Sequence, residues 1–186
     1  MKYDGRKTYV LSVCGLTREL PVVQVADGLW IASFVMLGDV ELVNVCAATL
    51  AARLTDYKID YLVGPEAKVV PLLQVLATFL GHKRYVVCRK SVKAYMQNPL
   101  VEKVQSITTT GKQELVLDGL DVQRLSGRKV AIVDDVVSTG GSLMGLEALL
   151  GRVGAEIVCK AAVLKEGDTY HGDLIYLADL PVFTRD

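Results

Sequence analysis

The chain reads as an α/β protein in which a doubly wound, mostly parallel sheet is flanked by helices. Three features lead there. From Asp39 onward, stretches with helical spacing of apolar residues alternate with short apolar runs rich in β-branched residues. Glycine, proline or a charged pair stands at most of the junctions. Such alternation implies right-handed crossovers between parallel strands, with helices on both faces. The third feature is size: 186 residues, 51% of them hydrophobic, can bury one domain's core without disulfides or a structural metal.

Each element follows from its residues. Tyr9–Val13, Leu20–Val25 and Trp30–Leu37 are short, strand-like apolar runs in an N-terminal segment, residues 1–38. Asp39 is a candidate N-cap, because Leu42, Val45, Cys46, Thr49, Leu50 and Leu54 then share one helical face. Ile59–Val63 is a strand closed by Gly64-Pro65, and Leu72, Leu73, Val75, Leu76, Phe79 and Leu80 form a helix stopped at Gly81. Tyr85–Cys88 is the next strand. Val104 to Asp118 reads as two polar-alternating strands around Thr109-Thr110-Gly111-Lys112, an exposed hairpin or mobile loop. Lys129–Val133 is a strand, Leu143, Leu146, Leu149, Leu150 and Val153 mark a helix ending near Gly154, and Ile157–Leu164 is another strand. A closing strand at Leu174–Leu177 precedes a short tail, so that 39–165 is the core and 166–186 the C-terminal tail of a single domain.

Composition excludes several function classes. The 21 Lys+Arg balance 21 Asp+Glu, so no general attraction to nucleic acid or to an anionic membrane is expected. Val69–Gly81 is uncharged but shorter than the roughly 20 residues a bilayer needs, and reads as a buried helix opening around Pro71. Residues 1–8 carry Lys2, Asp4, Arg6 and Lys7 and do not resemble a secretory signal, so a cytoplasmic location is expected. Cys14, Cys46, Cys88 and Cys159 lie far apart, with only His82 and His171 to assist them. Four buried, reduced thiols are expected, and no zinc or redox motif.

The chemistry concentrates in Val130–Ser142. Four apolar residues, Val130-Ala-Ile-Val133, make a buried strand; Asp134 and Asp135 follow; Val136-Val-Ser-Thr-Gly-Gly-Ser142 then feeds a helix N-terminus. Gly140 and Gly141 let backbone amides converge on an anion, Ser138, Thr139 and Ser142 add hydroxyl donors, and the helix dipole favours negative charge there. A monophosphate fits. The two carboxylates suit sugar hydroxyls or a hydrated Mg²⁺ beside that phosphate. Neither the G-x-x-x-x-G-K-[ST] nor the G-x-G-x-x-G spacing is present, which removes the common triphosphate and dinucleotide loops. In open sheets ligands gather at the carboxyl ends of strands near a topological switch point, here residues 64–68, 89–93 and 134–142.

Val130–Ser142 resembles the phosphoribosyl pyrophosphate signature of type I phosphoribosyltransferases at all thirteen positions. Gly64-Pro-Glu-Ala-Lys68 is similar to the pyrophosphate loop of the adenine phosphoribosyltransferase branch, and Arg89-Lys90 follows the next strand as in that branch. The resemblance extends from about Ile59 to Leu164. It departs at Lys68-Val69, where the branch commonly has Arg-Gly, and at Arg89-Lys-Ser-Val-Lys93, which lacks glycine and proline.

The resemblance implies a type I phosphoribosyltransferase fold with a small N-terminal hood and a flexible loop that closes over substrate. It implies that Asp134 and Asp135 contact the ribose hydroxyls and hold Mg²⁺ through water, and that Val137, Ser138, Thr139, Gly140, Gly141 and Ser142 hold the 5′-phosphate. Lys68, Arg89, Lys90 and Lys93 become the cations for the leaving pyrophosphate, with Asp134, Asp135, Arg89 and Lys90 the catalytic candidates. The implied reaction transfers phosphoribose from phosphoribosyl pyrophosphate to a purine base in purine salvage. Adenine comes first and hypoxanthine, guanine or xanthine second, and a homodimer is expected. The rival is a non-catalytic sensor of the same sugar phosphate. The 38 residues before Asp39 carry no helix-turn-helix pattern or basic stripe that would let such a sensor read DNA. Trp30, Phe34 and Phe183 read as core or interface residues before base-stacking ones, and His82 and His171 as surface residues.

Overall fold

The structure is a computed structural model and describes residues 1–104 and 113–185. Its centre is a five-stranded, all-parallel sheet in the order β10-β9-β8-β4-β5. These strands are β4 (Tyr61–Pro65), β5 (Val86–Cys88), β8 (Lys129–Val137), β9 (Glu156–Glu166) and β10 (Ile175–Leu180). From β4 the chain crosses through helix α2 (Val70–Phe79) outward to β5; from β8 it crosses through α4 (Gly141–Val153) in the other direction to β9. Adjacent strands β4 and β8 therefore wind away from each other, and the crevice between their carboxyl ends is the switch point.

Alternation along β8 assigns the two faces. Ala131 and Val133 pack with α2 and α1 (Val40–Leu54), including Leu50, Leu72 and Leu76, whereas Val130 and Ile132 pack with Leu146, Leu149 and Leu150 of α4. All four β8 residues are fully buried, which is why the run shows no polar alternation in sequence. Asp39 caps α1 as expected, its carboxylate accepting the Leu42 N–H at 3.0 Å. Among the described residues no helix is long and apolar enough to cross a membrane.

A second, antiparallel sheet joins β1 (Thr8–Val13), β2 (Leu16–Ala26), β3 (Leu29–Ala32) and β11 (Val182–Thr184) in that order. Arg18 of β2 fastens it to α1 through Asp39 at 2.6 Å and Glu41 at 2.7 Å. Residues beyond Leu180, read from sequence as a tail, thus return as β11 against β3, and Phe183 is completely buried. Trp30 stacks on Tyr3 with ring centroids 4.1 Å apart.

Three local expectations change. The two strands expected within 104–118 are β6 (Leu100–Val104) and β7 (Gln113–Leu117), so the first begins just after Pro99; the Thr109–Lys112 turn lies outside the described residues. A short helix, α3 (Gly119–Leu125), follows with Asp118 as its N-cap; only Leu125 of it is fully buried, too little to leave a periodic signal. Strand β8 continues through Asp134 and Asp135 to Val137, so the carboxylates lie inside the strand rather than beyond its end.

Candidate active site

Above the β4–β8 crevice lies a cavity of about 360 Å³. Its walls come from every layer of the fold: Ile31–Phe34 from β3 and the segment after it, Pro65 at the end of β4 and Glu66–Val69 after it, Lys90 after β5, Glu114 and Leu115 of β7, Asp134–Val136 of β8, Ser138 and Ser142 of the following loop and helix, Glu166 of β9 and Leu180 of β10.

The strands can carry the site because β4 and β8 approach closely. A Cβ on Gly64 would fall 2.5 Å from the Val133 carbonyl oxygen, so only glycine fits. Beyond it the Glu66–Ala67 peptide is cis and Lys68 reaches toward β8. Val69, where the branch it resembles has glycine, lies at φ −79°, ψ −13° and is buried. That is ordinary right-handed helical backbone, so this position needs no glycine.

Glu66 organises the next strand end. Its N–H donates to the Cys88 carbonyl at 2.9 Å, and its Oε1 accepts the Lys90 N–H at 2.6 Å. Its Oε2 lies 2.6 Å from Arg89 Nε, an ion pair without hydrogen-bond alignment. Arg89 is thereby neutralised and Lys90 is left facing the cavity. Sequence reading missed Glu66 in this role. It also missed Glu166, which lines the cavity, interacts with Ser138 and Lys68, and has its carboxyl raised above the ordinary range by burial.

Asp134 and Asp135 are 5% and 8% exposed. The Asp135 N–H donates to Asp134 Oδ1 at 2.9 Å, which fixes the first carboxylate. Burial, and then the neighbouring Asp135 charge, hold the Asp134 carboxyl well above the usual carboxylate range. Asp135 Oδ2 is buried with no hydrogen-bond partner, and Lys68 Nζ stands 4.0 Å from it. An acceptor of this kind calls for a donor or cation from a ligand.

The described residues contain no group of three or more His, Cys, Asp or Glu that could cage a metal. Two carboxylates, one with a vacant oxygen, nonetheless fit Mg²⁺, which keeps waters and takes its remaining oxygens from a phosphorylated substrate.

The phosphate-loop candidates follow directly. Val137 is buried beneath the loop, Ser138 is half-buried, and Thr139 is exposed. Gly140 is the N-cap of α4 at φ +82°. The first α4 hydrogen bond to that cap comes from the Met144 N–H, so the amides of Gly141, Ser142 and Leu143 precede the helical ladder and are those an anion can take. Of the residues singled out from sequence, Lys68, Lys90, Asp134, Asp135, Ser138 and Ser142 meet around the cavity. Lys93 instead donates to Ser91 Oγ at 2.6 Å and is not among the lining residues. The four cysteines are free, Cys46 and Cys88 fully buried but Cys14 and Cys159 only partly so. Near the far ends of α1 and α2, His82 is half-buried rather than at the surface, with its pKa lowered by desolvation.

Comparison with known proteins bears on this site. Residues 40–177 match the phosphoribosyl transferase domain. A hypoxanthine/guanine phosphoribosyltransferase of Methanococcus voltae is 35% identical over 144 residues, covering 77% of this chain and 69% of that protein. The chain spans 66% and 62% of the next two curated relatives, which carry the same name. In fold, the chain is similar to an adenine phosphoribosyltransferase of Rhodothermus marinus, with TM-score 0.65, 21% identity and 94% of each chain covered. It is also similar to that of Trypanosoma brucei in complex with AMP, pyrophosphate and ribose-5-phosphate, with TM-score 0.63, 17% identity, and 77% and 67% covered.

Proposed function

This chain belongs to the phosphoribosyl transferase domain family, and from that membership we propose how its cavity works as the active site of a purine phosphoribosyltransferase. The observation that carries the reading is the buried Asp134–Asp135 pair, with a partnerless oxygen, between an anion-binding helix start and two lysines.

We assign the 5′-phosphate to the amides and hydroxyls of Ser138–Ser142, and the ribose 2′- and 3′-hydroxyls to Asp134 and Asp135 as acceptors. Lys68 and Lys90 face the pyrophosphate, with Arg89 and Lys93 at its margin. The apolar wall of Ile31, Ala32, Phe34 and Leu180 is left for the base. In the transfer, the bond from ribose C1 to the pyrophosphate oxygen breaks and a purine ring nitrogen bonds to C1. The electron pair leaves on pyrophosphate, and the base gives up its N–H proton to solvent. Fixing both reactants in line is the first contribution of the protein, and lysine charge on the departing oxygens is the second. Mg²⁺, when bound beside Asp134 and Asp135, supplies charge neutralisation on the pyrophosphate.

Adenine was the base expected from sequence. The curated relatives, more similar in sequence than the adenine enzymes that share the fold, favour hypoxanthine or guanine, and we put these 6-oxopurines first. A homodimer and a cytoplasmic location complete the proposal. The test incubates the chain with Mg²⁺, phosphoribosyl pyrophosphate and each base separately, and follows the nucleotide by mass. Inosine or guanosine monophosphate formed well ahead of adenosine monophosphate is the expected result; the reverse order returns adenine to first place. Sugar-phosphate binding without product from any base would favour the sensor.

A further inference from the structure

We infer that Tyr170 is a positioning residue of this site: its ring braces Gly140, the left-handed N-cap on which the orientation of the phosphate-binding amides depends. The inference rests on the phosphoribosyl-transfer reading, in which those amides hold the 5′-phosphate.

Gly140 has φ +82°, a conformation that glycine enters freely but from which it can also leave freely. Its neighbours in sequence do little to hold it. No side chain caps α4, and a Cβ placed on Gly141 would meet only Thr139 Oγ1 at 3.7 Å. What holds Gly140 comes from elsewhere in the chain. A Cβ on Gly140 would lie 2.8 Å from Tyr170 Cε2, and closer still to Cδ2, so the ring packs directly on the glycine α-carbon.

The opposite end of the ring is seated in the same way. A Cβ on Gly172 would fall 2.5 Å from the Tyr170 hydroxyl and 2.7 Å from Cζ. The ring therefore fills a slot closed by two glycines, one in the anion loop and one in the segment between β9 and β10. Lys160 of β9 locks the slot from below. Its Nζ is 5.8 Å from the ring centroid, and it donates to Glu147 of α4 at 2.7 Å. Tyr170 thus ties the anion loop to β9 and, through Lys160, to α4. Its ring gives Gly140 the restriction that a side chain of its own would otherwise give.

The experiment separates phosphate binding from stability. Calorimetry with ribose 5-phosphate reads the phosphate subsite without turnover, and thermal melting reads folding. Tyr170→Leu, which keeps apolar volume but removes the planar ring, and Tyr170→Ala should each weaken ribose 5-phosphate by about tenfold or more and raise the KM for phosphoribosyl pyrophosphate in step, with the KM for the base little changed. Tyr170→Phe keeps the ring and should bind within about twofold of the parent. Gly140→Ala should abolish binding, and Tyr170→Ala in that background should recover part of it by relieving the collision, a non-additive pair. Lower melting points with unchanged ribose 5-phosphate affinity would reduce Tyr170 to a packing residue and overturn the inference. Failure of the parent chain itself to bind ribose 5-phosphate would remove the functional reading and the inference together, a result distinct from the former.

Discussion

Asp39 shows how one carboxylate serves two parts of the fold. It caps α1 through the Leu42 N–H and pairs with Arg18 of the N-terminal sheet. The Arg18 guanidinium, with the capped amide, holds its carboxyl below the ordinary carboxylate range. A lowered folded-state value means that the stabilisation is present above the unfolded value of about 4 and is lost as pH falls through the folded one. Asp39→Ala should therefore cost about 1 kcal/mol in urea unfolding at neutral pH, and the gap to the parent should close as pH drops below about 4. A gap that stays constant down to about pH 3 would show that the carboxylate charge does nothing there. Residues of this kind were legible: Asp39 stands directly before a helical pattern, and Asp134-Asp135 stands between a buried strand and a small-residue loop. Glu66, Glu166 and Tyr170 were not, because their partners lie far along the chain. Glu66 meets Arg89 and Lys90, Glu166 meets Ser138, and Tyr170 meets Gly140 only after β4, β5, β8 and β9 are laid side by side.

Among the elements, β8 and its neighbour β4 carry the site, and Gly64 sets their spacing. Gly64→Ala would drive a methyl into the Val133 carbonyl and against Leu73 and Val69, both 3.0 Å from the added atom. Overpacking of this sort costs about 1–3 kcal/mol, and it would spread the two strand ends that bring Lys68 to Asp135. The expected outcome is a lower melting point together with a raised KM for phosphoribosyl pyrophosphate; an unchanged melting point would show that the strands have room to spare. Elements with a fully developed period were readable in the sequence, as in α1, α2, α4, β4 and β8. The seven-residue α3 was not, and β6 was expected too late along the chain because its Leu-Val-Glu-Lys-Val run sits between a proline-containing turn and a polar stretch that drew the hairpin boundary.

For the whole molecule, the pattern of alternating helices and strands indicated a doubly wound layer architecture but not the order of its strands. The order β10-β9-β8-β4-β5 makes the switch point fall between β4 and β8, and so decides which strand ends share a cavity. It also accounts for the return of β11 to β3, which closes the N-terminal sheet beside the cavity wall formed by Ile31–Phe34. The zero net charge conceals a division that the fold puts to use. Between Ala67 and Val101 there are six basic residues and no acidic one, whereas Glu166 to Thr184 holds four acids and no Lys or Arg. The fold sets Lys68 and Lys90 of the first region across one cavity from Glu166 of the second, which suits a small anion better than a polymer. In the proposed mechanism Asp134 and Asp135 act on the sugar of phosphoribosyl pyrophosphate. The measurement that tests it most directly is steady-state pyrophosphate release, with the best purine base and Mg²⁺, by the parent chain and by Asp134→Asn with Asp135→Asn. A fall in turnover of about a hundredfold or more, with the melting point held or raised because a buried charge pair is gone, is the predicted result. Unchanged turnover in a folded double variant would show that the two carboxylates play no part in the transfer.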